Sequence, residues 1–305
     1  MSIEMILFSF AMVFLLASII LPKTPFYNKR NQYISLSIGW VLFSLFWALR
    51  FPYYVFKTRS VVYLFVLPFA IIGCLLLASS ALTAIKENKE LPRGYFTVTT
   101  SGTIASLIYM PFTLVDFLRK WAIESMTKQT FFFMQKLGIT NVEITVGPEF
   151  GYQSGLLFEN DGLTYLTYIA QNCTGIGSMA IVLSILWITN ISTPKKLLYS
   201  IASLLIIHIL NTGRNIMIAV GYGNQWFDVL EPTLAPILGY EDPHLVSFFL
   251  IDKVIAQLGS VIALLIIFYI FLQKFPELQD RLMEVLILFN QQLPDTISNE
   301  LEKYY

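Results

Sequence analysis

The chain has 305 residues, of which 56% are hydrophobic and 13% are charged, and its mean hydropathy is +0.65. This composition is more apolar than that of ordinary soluble domains and predicts an integral membrane protein. The 20 basic and 20 acidic residues balance to a net charge of +0, so no basic surplus indicates nucleic acid as a partner.

The first apolar run, residues 6–21, is flanked in a way that argues against a cleaved signal peptide. Glu4 precedes the run, and Lys23, Lys29 and Arg30 follow it. A signal peptide has the reverse order, with a basic start before its apolar region. We therefore predict a membrane helix that is retained in the protein.

Apolar runs recur along the chain at the length that a membrane helix needs, about 20 residues. Lysine and arginine are most frequent in the short loops on one side, and these residues mark the cytoplasmic side. We predict a multi-pass protein of the cytoplasmic membrane, with its N-terminus outside and its C-terminus inside. The seven predicted spans lie near residues 3–21, 33–49, 61–85, 95–115, 174–190, 197–220 and 245–272.

Other segments differ in character from the apolar runs. Residues 121–137 combine phenylalanine with lysine, which predicts an amphipathic helix at the membrane interface. The alternating stretch "NVEITVGPEF" and the following "GLLFENDG" predict a small β-hairpin or strand pair. After the last span, "FPELQDRLMEVLILFNQQL" repeats apolar residues at helical spacing and predicts a second amphipathic helix.

The predicted fold is an all-α integral membrane protein. It has about seven transmembrane helices, a small extracytoplasmic α/β insertion and a C-terminal amphipathic helix. We divide the chain into N-terminal transmembrane helices at 1–115, an extracytoplasmic or interfacial insertion at 116–171, candidate catalytic transmembrane helices at 172–272 and a cytoplasmic C-terminal helix at 273–305.

Ionisable side chains interrupt the last two apolar runs. Arg214 lies about six residues, or ~9 Å, from the outer end of the sixth predicted span. Asp252 and Lys253 lie inside the seventh. A charge at such a depth costs about 2.5–3.5 kcal/mol on insertion scales, so it normally faces the protein interior and has a use.

Helical spacing places several polar residues on shared faces of these two spans. One face of the sixth span carries His208, Asn211, Arg214 and Asn215, and one face of the seventh carries Lys253, Gln257 and Ser260. Such faces form hydrogen bonds between membrane helices, or they contact a substrate. The candidates for substrate binding are Asn211, Asn215, Gln257 and Asp252.

The charged residues also have a structural interpretation. An ion pair between Arg214 and Asp252 would neutralise both groups within the membrane. Lys253 could pair with the same carboxylate or extend to the interface.

Cys173 lies in "YIAQNCTGIG", where the fifth span begins, whereas Cys74 lies deep in another run. We therefore predict that the two cysteines do not form a disulfide. Most buried cysteines are small inert side chains. A nearby cation or a helix N-terminus would instead lower the pKa of the thiol and make it a nucleophile. In that case N–H groups from Thr174 onward could form an oxyanion hole, and Gly175 and Gly177 would allow close approach.

Three motifs together resemble the exosortase and archaeosortase family, and the archaeosortases most closely. They are "NCTGIGSMA" at the start of one span, "NTGRNIMIAVGYGNQWF" at the end of the next, and a basic residue at the start of a third, within roughly residues 95–275. The resemblance implies a membrane-embedded cysteine transpeptidase. Its partners would be secreted surface proteins, typically archaeal S-layer glycoproteins, with a C-terminal tripartite signal: a Pro-Gly-Phe type motif, a hydrophobic helix and a basic tail. A phospholipid headgroup amine would accept the new C-terminus.

The resemblance also implies roles for single residues. The nucleophile corresponds to Cys173 and the essential arginine to Arg214. The third catalytic residue is either Lys253, in place of an archaeosortase arginine, or His244, in place of an exosortase histidine, and depth in the membrane favours Lys253. We expect no metal ion and no cofactor. The alternatives are a transporter or channel lined by Arg214, Asp252 and Lys253, and a simple intramembrane cysteine protease.

Overall fold

The computed structural model describes residues 3–24, 28–146 and 154–291. The chain divides into two compact units. The first consists of the chain up to Leu107, of Trp187–Asn190 and of the chain from Ile267 onward. The second consists of Ile108–Leu186 and Ile191–Ile266.

Helices make up most of both units. In chain order they are α1 Ile3–Ile20, α2 Lys29–Pro52, α3 Val61–Lys86, α4 Arg93–Leu114, α5 Asp116–Lys136, α6 Ile176–Ile188, α7 Thr193–Gly223, α8 Glu231–Leu238, α9 Leu245–Phe248, α10 Gln257–Lys274 and α11 Pro276–Asn290. A π-helix, Phe249–Ala256, joins α9 to α10. The described residues also form three strands, all between α5 and α6: β1 Val142–Val146, β2 Ser154–Asn160 and β3 Leu163–Ile169. The predicted class, an all-α membrane protein with a small α/β insertion, is confirmed.

The number of spans differs from the predicted seven. Five helical stretches of the described residues are long and apolar enough to cross a membrane: Ile3–Ile20, Lys29–Lys57, Val61–Lys86, Thr193–Gly223 and Leu245–Lys274. A sixth is obtained if α4 and α5, which are bent by 92° at their junction, form one broken span. The predicted fifth span is the 13-residue helix α6. At 1.5 Å per residue α6 is only about 20 Å long, whereas the apolar core of a bilayer is about 30 Å thick.

Hydrogen bonds from side chains to backbone hold α1 and α2 together in the first unit. Gln32 Nε2 donates to the carbonyl of Ser18 over 2.9 Å, and Ser35 Oγ donates to that of Phe14 over 2.7 Å. Gly39 allows close approach, because a Cβ there would lie 2.7 Å from Leu15 Cδ2. Small residues and polar bonds of this kind are what hold membrane helices together in the absence of a hydrophobic driving force.

The amphipathic helix predicted at the C-terminus is present as α11 and packs on the start of α4. The backbone N–H of Gly94 donates to Glu284 Oε2 over 2.6 Å, so a carboxylate satisfies a free donor in the first turn of α4. Arg281 Nη1 donates to Thr97 Oγ1 over 3.0 Å. A Cβ on Gly94 would overlap the carbonyl of Arg281, so the contact requires glycine at this position.

The second unit contains an antiparallel sheet with strand order β1-β2-β3. The predicted strand pair is therefore present, and a third strand extends it. Asp161 and Gly162 form the turn between β2 and β3 with φ values of 50° and 77°. An Asp-Gly pair with positive φ at both positions is typical of the tight turn of a β-hairpin.

One face of the sheet packs on α5 and α7. Thr127 of α5 and Ser154 of β2 share a hydrogen bond of 2.8 Å between their hydroxyl groups. At the end of α7, a Cβ on Gly223 would overlap the ring of Phe158. The buried core of this contact consists of Met134, Val142, Leu156, Phe158, Tyr165, Ala219 and Tyr222. The sheet thus holds the end of α7 and leads directly into the segment that carries Cys173.

Candidate active site

Cys173 lies on a single 3₁₀ turn, Gln171–Thr174, between β3 and α6. Thr174 Oγ1 donates to the carbonyl of Gln171 over 2.6 Å and closes the turn. Gly175 follows with φ of 78°, a conformation that favours glycine, and its carbonyl accepts the N–H of Met179 over 3.0 Å. Cys173 therefore does not cap the N-terminus of α6, because the positive φ of Gly175 ends the turn before α6 begins at Ile176.

Two asparagines of α7 hold the backbone of Cys173. Asn211 Nδ2 and Asn215 Nδ2 both donate to the carbonyl oxygen of Cys173, over 2.7 Å and 2.9 Å. The side chains lie one helical turn apart, on the same face of α7 as predicted. A Cβ on Gly175 would lie 3.1 Å from Asn211 Cγ, so the turn passes close to this helix. These contacts are with Cys173 itself, and substrate binding by Asn211 and Asn215 stays a prediction.

The thiol of Cys173 is half-buried and unpaired with any other cysteine. Its Sγ lies 3.7 Å from Asn172 Oδ1, and the side chain packs beside Ile123, Met126 and Ile169. Cys74 is buried and also free. The prediction that the two cysteines do not pair is confirmed.

Arg214, Asp252 and Lys253 form one cluster of charges, which we call the ion triad. Arg214 Nη2 lies 2.7 Å from Asp252 Oδ1, and Lys253 Nζ lies 2.6 Å from Asp252 Oδ2. Their side chains are 13%, 9% and 20% exposed, in that order. The ion pair between Arg214 and Asp252 that the sequence suggested is present, and Lys253 joins it. The triad carries two positive charges and one negative charge.

The π-helix Phe249–Ala256 supplies two of the three charges. A π-helical stretch inside an α-helix is rare and frequently marks a functional site. Asp252 and Lys253 are consecutive, yet the lysine bends back to the carboxylate and also lies 5.4 Å from the centre of the Phe248 ring. That contact is close enough for a cation–π interaction.

His244 lies apart from the ion triad, just before α9. Its Nδ1 is 3.4 Å from Glu231 Oε1, and its ring meets that of Tyr165 edge-on at 5.8 Å. Burial, followed by the nearby carboxylates of Glu231 and Asp242, raises the pKa of Tyr165. Across residues 3–24, 28–146 and 154–291, no hydrogen bond or ion pair joins His244 to Arg214, Asp252 or Lys253.

The structure therefore brings Cys173, Asp252 and Lys253, but not His244, together around α7. Arg214 sits between Asn211 and Asn215 in sequence, so the helix that holds the Cys173 turn also carries the arginine of the ion triad. Gln257 begins α10, directly after the π-helix. His208 is half-buried on α7, and its carbonyl accepts a hydrogen bond from Thr212 over 2.9 Å.

Two contributors to the site were not predicted from the sequence. Glu231 is buried and pairs with His244, which lies thirteen positions further along the chain, beyond α8. Met126 of α5 places its sulfur 3.8 Å from Asn211 Nδ2. Neither residue has a spacing in the sequence that links it to its partner, so only the tertiary fold reveals these contacts.

The chain is similar in sequence to known membrane proteins. A family model described as "Transmembrane exosortase (Exosortase_EpsH)" matches residues 4–230, about three quarters of the chain. The chain belongs to the transmembrane exosortase family. The match begins in α1, whereas the sequence motifs suggested a resemblance from about residue 95, and it ends before His244 and Lys253. Membership in the exosortase family therefore covers Cys173 and Arg214 but does not choose between the two candidates for the third residue.

Two relatives of this chain are named Archaeosortase A. The protein from Natronomonas pharaonis is 30% identical over 251 residues, which cover 81% of this chain and 78% of the relative. The protein from Haloferax volcanii is 26% identical over 263 residues, which cover 83% and 84%. No solved structure matches the chain significantly.

Proposed function

We propose that this protein is a sorting transpeptidase embedded in the membrane, which acts on surface proteins with a C-terminal signal. Family membership and the two archaeosortase relatives support this activity. The single observation that carries the proposal is the attachment of the Cys173 turn to α7, the helix that also bears Arg214. A thiol and a guanidinium are thereby supplied by neighbouring parts of one unit.

The proposed reaction begins with attack of the Cys173 thiolate on the scissile carbonyl of the substrate. The C–S bond forms and the C–N bond breaks, so that the signal helix leaves as an amine and takes up a proton. The amine of a phospholipid headgroup then attacks the thioester. The new amide bond forms, the C–S bond breaks, and the amine's proton passes to the returning thiolate or to solvent.

Arg214 would stabilise the thiolate or the tetrahedral oxyanion. One guanidinium nitrogen is bound to Asp252, while its Nε is buried without a partner among the described residues and has a proton to donate. The backbone N–H groups from Thr174 onward are proposed as further oxyanion donors. Lys253, through its place in the ion triad, or His244 would assist proton transfer or neutralise charge.

The substrate and the acceptor would meet in one leaflet of the membrane. We propose that the N-terminus and the active site face the outside and that the substrate carries a Pro-Gly-Phe type motif. In this arrangement residues 172–272 form the catalytic helices and residues 116–171 hold the motif beside Cys173. Both the signal helix and the phospholipid could then diffuse laterally to the thiol.

A transporter or channel is the second candidate function, because it too would place ionisable residues within the membrane. The contacts of the ion triad favour the enzyme. Arg214 and Lys253 both bind Asp252 within 2.7 Å, so the charges are paired with each other. A simple protease remains the alternative within enzyme chemistry, and it differs only in the acceptor, which would be water.

The test uses the full chain in liposomes with a substrate protein that ends in a Pro-Gly-Phe type signal. We compare Cys173→Ala with Cys74→Ala, since Cys74 is the other free cysteine and lies in α3. Mass spectrometry of the product reports its C-terminus. The proposal expects a headgroup amide that is lost only in the Cys173 variant. A free carboxylate in the unaltered protein would support the protease, and processing by Cys173→Ala would refute both.

A further inference from the structure

We infer that Asn211 and Asn215 are positioning residues for Cys173. Together they fix the carbonyl of Cys173, so that its thiol meets the scissile carbonyl of the substrate in a reactive geometry. This inference rests on the proposed function, because it assigns these residues a part in the cysteine chemistry. It differs from the prediction that they bind the substrate.

The first argument is that the carbonyl oxygen of Cys173 accepts as many hydrogen bonds as it has lone pairs. A carbonyl oxygen has two lone pairs, and the two amide nitrogens occupy them at 2.7 Å and 2.9 Å. Because the peptide bond is planar, fixing this oxygen fixes the whole group between Cys173 and Thr174. The backbone beside the thiol-bearing carbon is therefore held on one side by α7.

The second argument is that Asn215 contains a buried polar atom that destabilises the protein, so stability alone does not explain this residue. A carbonyl can only accept, so the amide group must turn its nitrogen toward Cys173, and the orientation of Asn215 is thereby determined. Its Oδ1 is then buried without a partner among the described residues, in a side chain only 1% exposed. A buried polar atom without a hydrogen bond is destabilising, and it calls for a functional explanation.

The third argument is the contrast between backbone and thiol. The carbonyl of Cys173 has two short hydrogen bonds. Among the described residues, its Sγ has only the 3.7 Å hydrogen-bond contact with Asn172, and the residue is half-buried. The residue is thus anchored through its main chain while its reactive atom stays available. Catalysis depends on such placement, because a displacement of about 1 Å can reduce the rate on the order of 100-fold.

The test compares Asn211→Leu and Asn215→Leu with Ser200→Ala in liposomes. Leucine has the same number and branching of side-chain heavy atoms as asparagine, and it cannot donate to the Cys173 carbonyl. Ser200 is the control, since its Oγ is another buried atom of α7 without a partner among the described residues. It lies about three turns from Asn211 and about four from Asn215. We expect kcat to fall by about 10- to 100-fold in each leucine variant, with KM unchanged. Ser200→Ala should keep the kcat of the unaltered protein.

Alkylation of the two cysteines by N-ethylmaleimide separates positioning from unfolding. Cys173 should remain reactive in the leucine variants, because positioning for substrate is lost while access is kept, whereas the buried Cys74 should react only in a variant that unfolds. If these variants do not insert, Asn211→Ala and Asn215→Ala, which only remove atoms, allow the same comparison.

Several results would overturn the inference. Unchanged kcat in both variants would show that the hydrogen bonds do not matter for catalysis. A raised KM with unchanged kcat would indicate substrate binding instead. An equal loss in Ser200→Ala would indicate a general effect on α7. If Cys173→Ala stays active, the proposed function fails; if it is inactive while both leucine variants are fully active, only the positioning role fails.

Discussion

Replacing Asp252 by asparagine removes the only negative charge from the ion triad and leaves two cations facing each other. Each cation lies within 2.7 Å of the carboxylate, and at most 20% of any side chain in the triad is exposed. At an effective dielectric constant of about 20, each contact has roughly 6 kcal/mol of Coulomb attraction before desolvation. Removing one partner of a buried ion pair destabilises a protein by about 3–5 kcal/mol. We expect Asp252→Asn to reach this range.

Lys253→Met is the matched comparison, because it changes the triad in the opposite direction. The triad holds two cations and one anion, so loss of the lysine leaves one cation paired with one carboxylate. The free energy of unfolding should therefore fall much less than in Asp252→Asn.

Unfolding of the purified variants can be followed by tryptophan fluorescence in detergent micelles as the fraction of sodium dodecyl sulfate rises. The expected order of stability is unaltered protein, then Lys253→Met, then Asp252→Asn by a wide margin. Equal stability of the two variants would refute the reasoning, since it would mean that the charge balance of the triad does not matter. Full stability of Asp252→Asn would refute it as well.

Three further predictions concern the candidate site and its surroundings. Gly175→Ala should destabilise the protein by about 1–2 kcal/mol in thermal unfolding and lower its activity, because the φ of this residue is 78°. Gly213→Ala is the control, since a Cβ there would have no atom within 4 Å, and it should be neutral or slightly stabilising. Lys253→Gln should reduce kcat by about 100-fold or more, and His244→Gln should leave most of it, since only the lysine belongs to the ion triad. Gly223→Ala should cost about 1–3 kcal/mol in thermal unfolding, because its methyl group would enter the packing of β2 on α7.

Helices and their polar faces could be predicted from the sequence because they depend on local periodicity. The spacing of Asn211 and Asn215 placed both on one face of α7, and the structure agrees. The spacing could not predict which group this face of α7 contacts. The carbonyl of Cys173 is 38 and 42 positions away and belongs to another element, so the contact depends on tertiary packing.

The third strand could have been predicted from the sequence. The Asp161-Gly162 pair in "FENDG" is a strong hairpin signal, and the alternation that follows it forms β3. The sequence analysis treated "FENDG" only as the end of a strand pair and so predicted two strands, whereas the described residues form three.

The length of α6 was overestimated for a different reason. The apolar run at residues 174–190 extends beyond both ends of the helix, Ile176–Ile188, and therefore suggested a full membrane span.

The π-helix could not be predicted from the sequence. Regular 3.6-residue spacing treats Asp252 and Lys253 as neighbours that point in different directions. In the structure both participate in one cluster with Arg214. The sequence did contain the reason for a partner, since an arginine within an apolar run requires a counter-charge, and Asp252 was the acidic residue at comparable depth.

The proposed thioester can be tested by trapping it. The full chain is mixed with its signal-bearing substrate in detergent micelles that contain no lipid amine, and the peptide that contains Cys173 is then analysed by mass spectrometry. The account predicts an adduct between this cysteine and the C-terminus of the cleaved substrate, which hydroxylamine releases as a hydroxamate. Cleavage of the substrate without any adduct on Cys173, and without hydroxamate, would contradict it.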